Sequence, residues 1–222
     1  MSGLSLTVAP ELTGRARLGV LALEGVTVHE ADPGLATEVD ALCAELRARH
    51  AGVPSGSVPG VEEARGLYKA LGIDPTKTRP SNEALLRRAL KGEALYRINT
   101  LVDALNLASL RSQVPFGLYD LAKLEPPLTL RRGGPGESYE GIRKGPVGVE
   151  GRPVLVDARG PFGNPTSDSA RTCIGLGTTR ALVVAYAPAT CPDRRLSEVL
   201  DATEALLVRW CGGTRGSRFF VP

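Results

Sequence analysis

Residues 79–120 read RPSNEALLRRALKGEALYRINTLVDALNLASLRSQVPFGLYD, and apolar side chains recur through the first two thirds of this stretch at helical spacing. Two such stripes are present: Leu85, Leu86, Ala89 and Leu90, then Ile98, Leu101, Val102 and Leu105. The first helix is predicted to start with Ser81 as its N-cap and to end at Gly92. The second is predicted over residues 94–109.

Short apolar runs split by Gly and Pro lie on both sides of these helices and predict strands. Those before them are residues 4–8, 18–23 and 26–28, and those after them are residues 128–130, 154–156 and 181–186. Further amphipathic helices are predicted over residues 35–50, 61–71 and 196–210. Strands, then helices, then strands and a final helix predict an α+β fold, because regular βαβ alternation is missing.

The segment that joins the helical part to the later strands, residues 113–120, contains Pro115 and Gly117. These two residues predict a turn. Asp120 is expected to cap a short helix over residues 121–124.

Length and composition favour one soluble domain over residues 1–222. The chain is 42% hydrophobic and 23% charged, and no apolar run approaches the roughly 18 residues of a membrane span. The first residues lack the layout of a signal peptide, so we expect a cytoplasmic protein without a membrane partner. A net charge of +3 permits transient contact with RNA but is too small for a dedicated nucleic-acid coat.

Histidine and cysteine are scarce. The two histidines, His29 and His50, lie in no site motif, and the four cysteines form neither a C-x-x-C pair nor a Cys/His cluster. A zinc site is therefore not expected, and Ser-His-Asp or Cys-His catalysis is disfavoured.

The helix predicted over residues 94–109 carries polar side chains on one side. Asn99, Asp103 and Asn106 fall at i, i+4 and i+7. Asn and Asp are mediocre helix formers, so three on one stripe lower helix stability unless they have partners. A solvated face and the lining of a pocket both remain open.

A second polar cluster occupies residues 163–172, a loop that runs into a strand. It contains Asn164, Asp168, Ser169, Arg171 and Thr172. A turn bonded to its own backbone and a site for an ammonium, an ester carbonyl or a ribose hydroxyl are both compatible with this composition.

A glycine-rich segment, residues 133–137, precedes that loop. Its spacing does not match a dinucleotide-binding loop. A turn that aims the carboxylate of Glu137 is favoured instead.

These stretches, in this order, resemble the B3/B4 domain, the editing module of the bacterial phenylalanyl-tRNA synthetase beta subunit, and more closely its free-standing relatives. The matching residues are Arg79-Pro80-Ser81, Glu83-Ala84-Leu85, Lys91-Gly92, Asn99, Val102-Asp103, Asn106, Ser109-Leu110, Pro115, Tyr119-Asp120, Gly136-Glu137, Asn164-Pro165, Asp168-Ser169 and Arg171-Thr172. The resemblance covers residues 4–188, and residues 189–222 add a helix and a tail.

The resemblance implies a three-layer α+β fold with mixed and antiparallel sheets and about five helices. It implies a trans-editing deacylase that acts on the 3′ end of a mischarged aminoacyl-tRNA and holds the amino acid as ligand. No metal or organic cofactor is implied, and DNA is not expected as a partner. Gly117 stands where the synthetase pattern has His, and Leu105 where it has Thr. In the synthetase this domain hydrolyses tyrosine wrongly esterified to the tRNA for phenylalanine, and these departures put the same specificity in doubt for this chain.

Roles in such a deacylase follow from this resemblance. Asp168 is expected to orient the water, with Asn106 and Ser169 as hydrogen-bond donors. Glu137 or Asp103 is expected to hold the substrate ammonium, and Arg171 the terminal ribose-phosphate or the oxyanion. The remaining substrate-binding positions are Asn99, Gly117, Asn164 and Thr172, and Arg87, Arg88 and Lys91 form a basic group that is either an RNA contact or solvated helix surface.

Two other functions stay open at the level of sequence. The same pocket is compatible with a non-catalytic module that binds an amino acid or aminoacyl-RNA. Cys173, just after the polar loop, is a third possibility as a nucleophile, although no His lies near it in sequence.

Overall fold

The computed structural model describes residues 4–222 and contains five α-helices and ten β-strands in this part of the chain. The helices are α1 Pro33–Arg49, α2 Val61–Ala70, α3 Ser81–Leu90, α4 Thr100–Ser112 and α5 Asp193–Cys211. The strands are β1 Leu6–Val8, β2 Ala16–Glu24, β3 Phe116–Asp120, β4 Leu128–Arg132, β5 Ser138–Gly141, β6 Gly145–Gly148, β7 Pro153–Asp157, β8 Gly160–Gly163, β9 Arg180–Pro188 and β10 Thr214–Val221. The predicted α+β class is confirmed.

Two four-stranded sheets and one hairpin organise the strands. One sheet has the order β10-β2-β9-β3 and is antiparallel throughout. The other has the order β1-β4-β7-β8, in which only β1 and β4 run parallel. Strands β5 and β6 pair with each other. Mixed and antiparallel sheets are thus present, as predicted.

The antiparallel sheet lies between two apolar cores because its central strands bury both faces. Leu21 and Val183 face one core, which α1, α4 and α5 complete. Leu18 and Val184 face the other core, which the second sheet and α2 complete. Successive side chains of a strand point to opposite faces, so an uninterrupted apolar run such as β9 fits a central layer. The layers are helices, sheet and sheet.

Several predicted boundaries differ from the structure. Helix α4 begins after Asn99, because the side chain of Asn99 accepts a hydrogen bond from Val102 N at 3.0 Å and caps the helix there. Ser81 is the first helical residue of α3, and Pro80 holds the N-cap position. Residues 26–28 form no strand.

The predicted turn over residues 113–120 is partly wrong. Its second half is strand β3, which pairs with β9 at the edge of the antiparallel sheet. Asp120 does cap a short 3-10 helix, Leu121–Lys123, by accepting a hydrogen bond from Ala122 N at 3.0 Å.

No helix among residues 4–222 is long and apolar enough to cross a membrane.

Candidate functional site

A cavity of about 470 Å³ opens where α3, α4, β3, the turn between β5 and β6, and the loop after β8 meet. It is lined by Ser81, Leu85, Ile98, Val102, Leu105, Asn106, Ser109, Phe116, Leu118, Ile142, Arg143, Lys144, Asn164, Thr166, Ser167, Asp168, Cys173 and Ile174. The volume falls within the range of small-molecule sites, which is about 300–1,000 Å³.

One wall of the cavity is apolar. It comes from α4 and β3, where Leu105, Phe116 and Leu118 are nearly buried. Phe116 and Leu118 are two residues apart on β3, so their side chains lie on the same face of the strand and pack toward α4. Tyr119 lies on the opposite face and packs against the other sheet. This wall suits an apolar side chain.

Asp168 lies on the opposite, polar side and has an unusual environment. Its Oδ1 is shielded from solvent and has no hydrogen-bond partner within residues 4–222, while Oδ2 accepts a long bond, 3.4 Å, from Leu118 N, and the Tyr119 hydroxyl also interacts with the carboxyl. Burial raises the pKa of this carboxyl to about 7, and the Tyr119 hydroxyl, the Leu118 amide and the charge of Lys144 only partly oppose the effect. Asp168 therefore changes protonation near neutral pH.

Four tyrosines surround the loop that carries Asp168, and none of them is predicted from the sequence to have a role in the site. Tyr68 shares a hydrogen bond of 2.8 Å with the Thr166 hydroxyl, and Tyr119 and Tyr186 contact each other at 3.3 Å between hydroxyl oxygens. Tyr139 donates to the carbonyl of Ser167. Burial raises the pKa of all four hydroxyls, so they remain neutral around the carboxylate.

Two asparagines reach the cavity in different ways. The side chain of Asn106 makes no hydrogen bond within the described chain, so its amide is available to a ligand. Asn164 accepts hydrogen bonds from Thr166 N and Ser167 N at 2.8 and 2.9 Å. The loop is thus held by its own side chains, and it also presents Asp168 to the cavity.

Comparison with known proteins identifies the family. The family model of the B3/4 domain matches residues 63–205, which is more than half of the chain and includes every residue that lines the cavity. The chain belongs to the B3/4 domain family.

Among solved structures, this B3/4 protein is similar to an N-terminal fragment of the phenylalanyl-tRNA synthetase beta-subunit from Pyrococcus horikoshii. Sequence identity is 12% and the TM-score is 0.48, over 100% of this chain and 55% of that fragment. The chain thus spans about half of the fragment's length. No curated protein matches.

Several residues predicted for the B3/4 site do not line the cavity, and their side chains form hydrogen bonds or ion pairs elsewhere in the protein. Asn99 caps α4, and Asp103 accepts a hydrogen bond from Ile98 N at 3.1 Å at the same helix end. Both carboxylate oxygens of Glu137 accept hydrogen bonds from the guanidinium of Arg131 at 2.7 Å, and this pairing lowers the pKa of Glu137 to about 2. Neither Asp103 nor Glu137 lines the cavity.

The end of the polar loop is likewise engaged inside the protein. Arg171 pairs with both oxygens of Asp157 at 2.9 Å, and the side chain of Asp157 is fully buried. Ser169 and Thr172 share a hydrogen bond of 2.9 Å behind the cavity wall. Gly117 is buried in β3 and does not line the cavity.

The basic group predicted on α3 also lies outside the cavity lining. Arg88 donates to the carbonyl of Ala94, lies 4.3 Å above the ring of Tyr96 and pairs with Glu93. Lys91 pairs with Glu93 at 3.7 Å. Arg87 is exposed. The cations that do line the cavity are Arg143 and Lys144, which sequence reasoning missed.

Cys173 lies at the cavity wall, and its carbonyl accepts a hydrogen bond from Lys123 Nζ at 2.6 Å. No group of three or more His, Cys, Asp or Glu within residues 4–222 is arranged to hold a metal ion.

Proposed function

We propose that this B3/4 protein hydrolyses the ester of a mischarged aminoacyl-tRNA. The observation that carries the proposal is Asp168, a shielded carboxylate with a pKa of about 7 on the polar side of an otherwise largely apolar cavity. A general base works best when its pKa lies near the working pH. An aminoacyl ester is already reactive, so the site has only to place a water and stabilise the developing oxyanion.

The reaction balances with residues of the cavity alone. Asp168 accepts a proton from water as the water oxygen attacks the ester carbonyl, and the amide of Asn106 donates to the carbonyl oxygen as negative charge develops there. When the tetrahedral intermediate collapses, Asp168 returns the proton to the departing ribose oxygen. The products are the free amino acid and a tRNA with a free terminal hydroxyl.

The remaining predicted residues receive supporting roles in this proposal. Asn164 fixes the loop that carries Asp168, and the hydroxyl pair of Ser169 and Thr172 orders the backbone behind it. Because Glu137 is paired with Arg131 and Asp103 accepts a hydrogen bond from Ile98 N, the substrate ammonium is assigned to the polar loop of residues 164–168.

The walls of the cavity favour an amino acid with an uncharged, apolar side chain. Leu105 supplies a methyl-bearing wall where the synthetase pattern has a hydroxyl, and Phe116 and Leu118 continue this wall. A buried charge or an unpaired polar group against such a wall is unfavourable by a few kcal/mol. The proposed substrates are therefore tRNAs esterified with apolar amino acids.

Deacylation of a panel of correctly charged and mischarged tRNAs tests the proposal. We expect selective hydrolysis of one or a few species, with losses of at least about a hundredfold in Asp168→Asn and smaller losses in Asn106→Ala. Asp74→Asn, at an exposed turn remote from the cavity, is the matched control. Saturable binding with unchanged ester half-lives in the wild type would instead assign a non-catalytic binding module.

A nucleophilic cysteine would be a different chemistry, and the variant Cys173→Ala tests it without adding a group to the cavity. Cys173→Ala is expected to keep its activity, whereas complete loss of hydrolysis in a folded variant would make Cys173 the nucleophile.

A further inference from the structure

The turn between β5 and β6 carries two cations over the cavity. Ile142, Arg143 and Lys144 form this turn, and all three line the cavity. Asp168 is the one acidic residue in the same lining, so the turn supplies the positive charge at the opening.

Neither cation is held in an ion pair within residues 4–222, although the charge of Lys144 acts on the Asp168 carboxyl. Arg143 and Lys144 contact no carboxylate, and Lys144 Nζ instead donates to the Ser167 hydroxyl at 3.3 Å. Arginines elsewhere near the site are engaged, as Arg131 is with Glu137 and Arg171 with Asp157. Two unpaired cations beside a cavity are suited to an anionic ligand group.

The backbone of the turn adds a second observation. Arg143 adopts φ +56°, in the left-handed region, where a non-glycine residue is disfavoured by roughly 1 kcal/mol or more. Glycines stand at both ends of the turn, at Gly141 and Gly145, yet position 143 holds a long cationic side chain. Arg143 lines the cavity in this conformation.

We propose that Arg143 and Lys144 bind the phosphates of the terminal nucleotides of the RNA whose ester enters the cavity. This inference rests on the proposed function, which brings an RNA 3′ end to this opening. Arg offers a fixed fork of donors for a phosphate, and Lys offers a compact charge. The basic residues of α3 are a competing location, but Arg88 and Lys91 are already paired with Glu93.

Binding of a non-hydrolysable RNA tests this subsite independently of hydrolysis. The probe is an acceptor-stem hairpin with a single-stranded 3′ end that carries its amino acid through an amide. For the double variant Arg143→Ala/Lys144→Ala we expect about tenfold weaker binding at low salt. The slope of log Kd against log salt over roughly 50 to 200 mM should fall by about 1.4, or about 0.7 for each cation lost.

Two controls separate phosphate binding from loss of charge or fold. Lys69→Ala/Arg152→Ala removes the same charge from exposed positions outside the cavity lining and should leave affinity and slope unchanged. Affinity for an aminoacyl-adenosine amide, which has no phosphate, should be the same for the wild type and Arg143→Ala/Lys144→Ala.

Equal affinity of the wild type and Arg143→Ala/Lys144→Ala for the hairpin would overturn the subsite. A larger loss in Arg87→Ala/Lys91→Ala would also overturn it and would place the contact on α3. Ester hydrolysis by the wild type is measured separately. If the wild type hydrolyses no ester but Arg143→Ala/Lys144→Ala still binds the hairpin more weakly, the proposed hydrolase is rejected and the phosphate subsite is supported.

Discussion

The hydroxyl of Tyr119 occupies the space that a side chain at Gly117 would need. A Cβ atom on Gly117 would lie 2.2 Å from the Tyr119 hydroxyl oxygen, and one on Gly163 would lie 2.3 Å from the same atom. Tyr119 therefore reaches between two glycines of different sheets, edge-on to Phe162 at 4.8 Å between ring centroids. A His at position 117 and this placement of Tyr119 exclude each other, which gives a physical reason for Gly117 in this chain.

Substitution of Gly117 should accordingly destabilise the fold. We expect Gly117→Ala to lower the free energy of unfolding by about 2 kcal/mol, because a methyl group is forced into a packed site. Shortening Tyr119 to Leu in the same chain should recover part of this loss. Chemical denaturation measures both variants. Gly175→Ala, where an added Cβ meets nothing within 4 Å, is the control. Additive losses in the Gly117→Ala/Tyr119→Leu double variant would contradict the coupling.

The buried carboxylate of Asp168 should make stability depend on pH. Its pKa is about 7 in the folded protein and about 3.9 when unfolded, so the folded state holds the proton more tightly. The free energy of unfolding should therefore fall as pH rises from about 4 to 7 and level off above that range. Asp168→Asn removes this contribution.

The free energy of unfolding of the wild type should fall by about 2 to 3 kcal/mol from about pH 5 to about pH 8, and that of Asp168→Asn should not. Denaturant titrations of both proteins at these two pH values provide the measurement, and Asp74→Asn controls for the loss of an acid at the surface. A constant difference between wild type and Asp168→Asn would show that the carboxylate is not buried as described.

The same titration predicts how activity depends on pH. If Asp168 accepts the proton from water, kcat/KM should rise tenfold per pH unit below about 7 and become constant above it. Rates are measured with an RNA ester substrate after subtraction of spontaneous hydrolysis. A decline through the same range would mean that the protonated form is active and that Asp168 donates rather than accepts.

The sequence predicts most of this fold because the relevant signals are local. Periodicity locates all five helices found among residues 4–222, with α4 beginning later than predicted, and apolar runs locate β1, β2, β4, β7 and β9. Strand β3 is hidden by Pro115 and Gly117, and β5 and β6 are too rich in glycine for an apolar pattern. Strand β10 shows no apolar pattern over its first five residues, Thr214 to Arg218, so the sequence does not predict it.

The site is predictable only in part, because long-range contacts create it. Asn106, Asn164 and Asp168 do meet at one cavity, although 58 residues separate the first from the second. Asp103 and Arg171 are of residue types common in functional sites, but their side chains stabilise the fold. Only their partners in the structure, Ile98 N and Asp157, show this. The tyrosines around Asp168 come from α2, β3, β5 and β9, so no local pattern announces them.

The ion pair of Arg171 and Asp157 should contribute to stability and not to catalysis. Arg171→Ala leaves the fully buried Asp157 side chain without its cation, and we expect a loss of about 3 kcal/mol in the free energy of unfolding. The kcat/KM of the folded fraction should be unchanged. Arg194→Ala, from an exposed pair with Glu198, should lose less than about 0.5 kcal/mol. A stable Arg171→Ala protein with lost activity would return this arginine to the substrate site.

The C-terminal strand should stabilise the fold, although the family match ends at residue 205. Strand β10 pairs with β2 from Thr214 to Val221, and Val221 is 8% exposed in the core between the two sheets. We propose one folding domain that includes this strand. Removal of residues 214–222 would expose the long apolar edge of β2, so a lower melting temperature and aggregation on heating are expected. Deletion of Pro222 alone, outside the pairing, is the control. A truncated protein that melts like the full chain would confine the domain to the residues before β10.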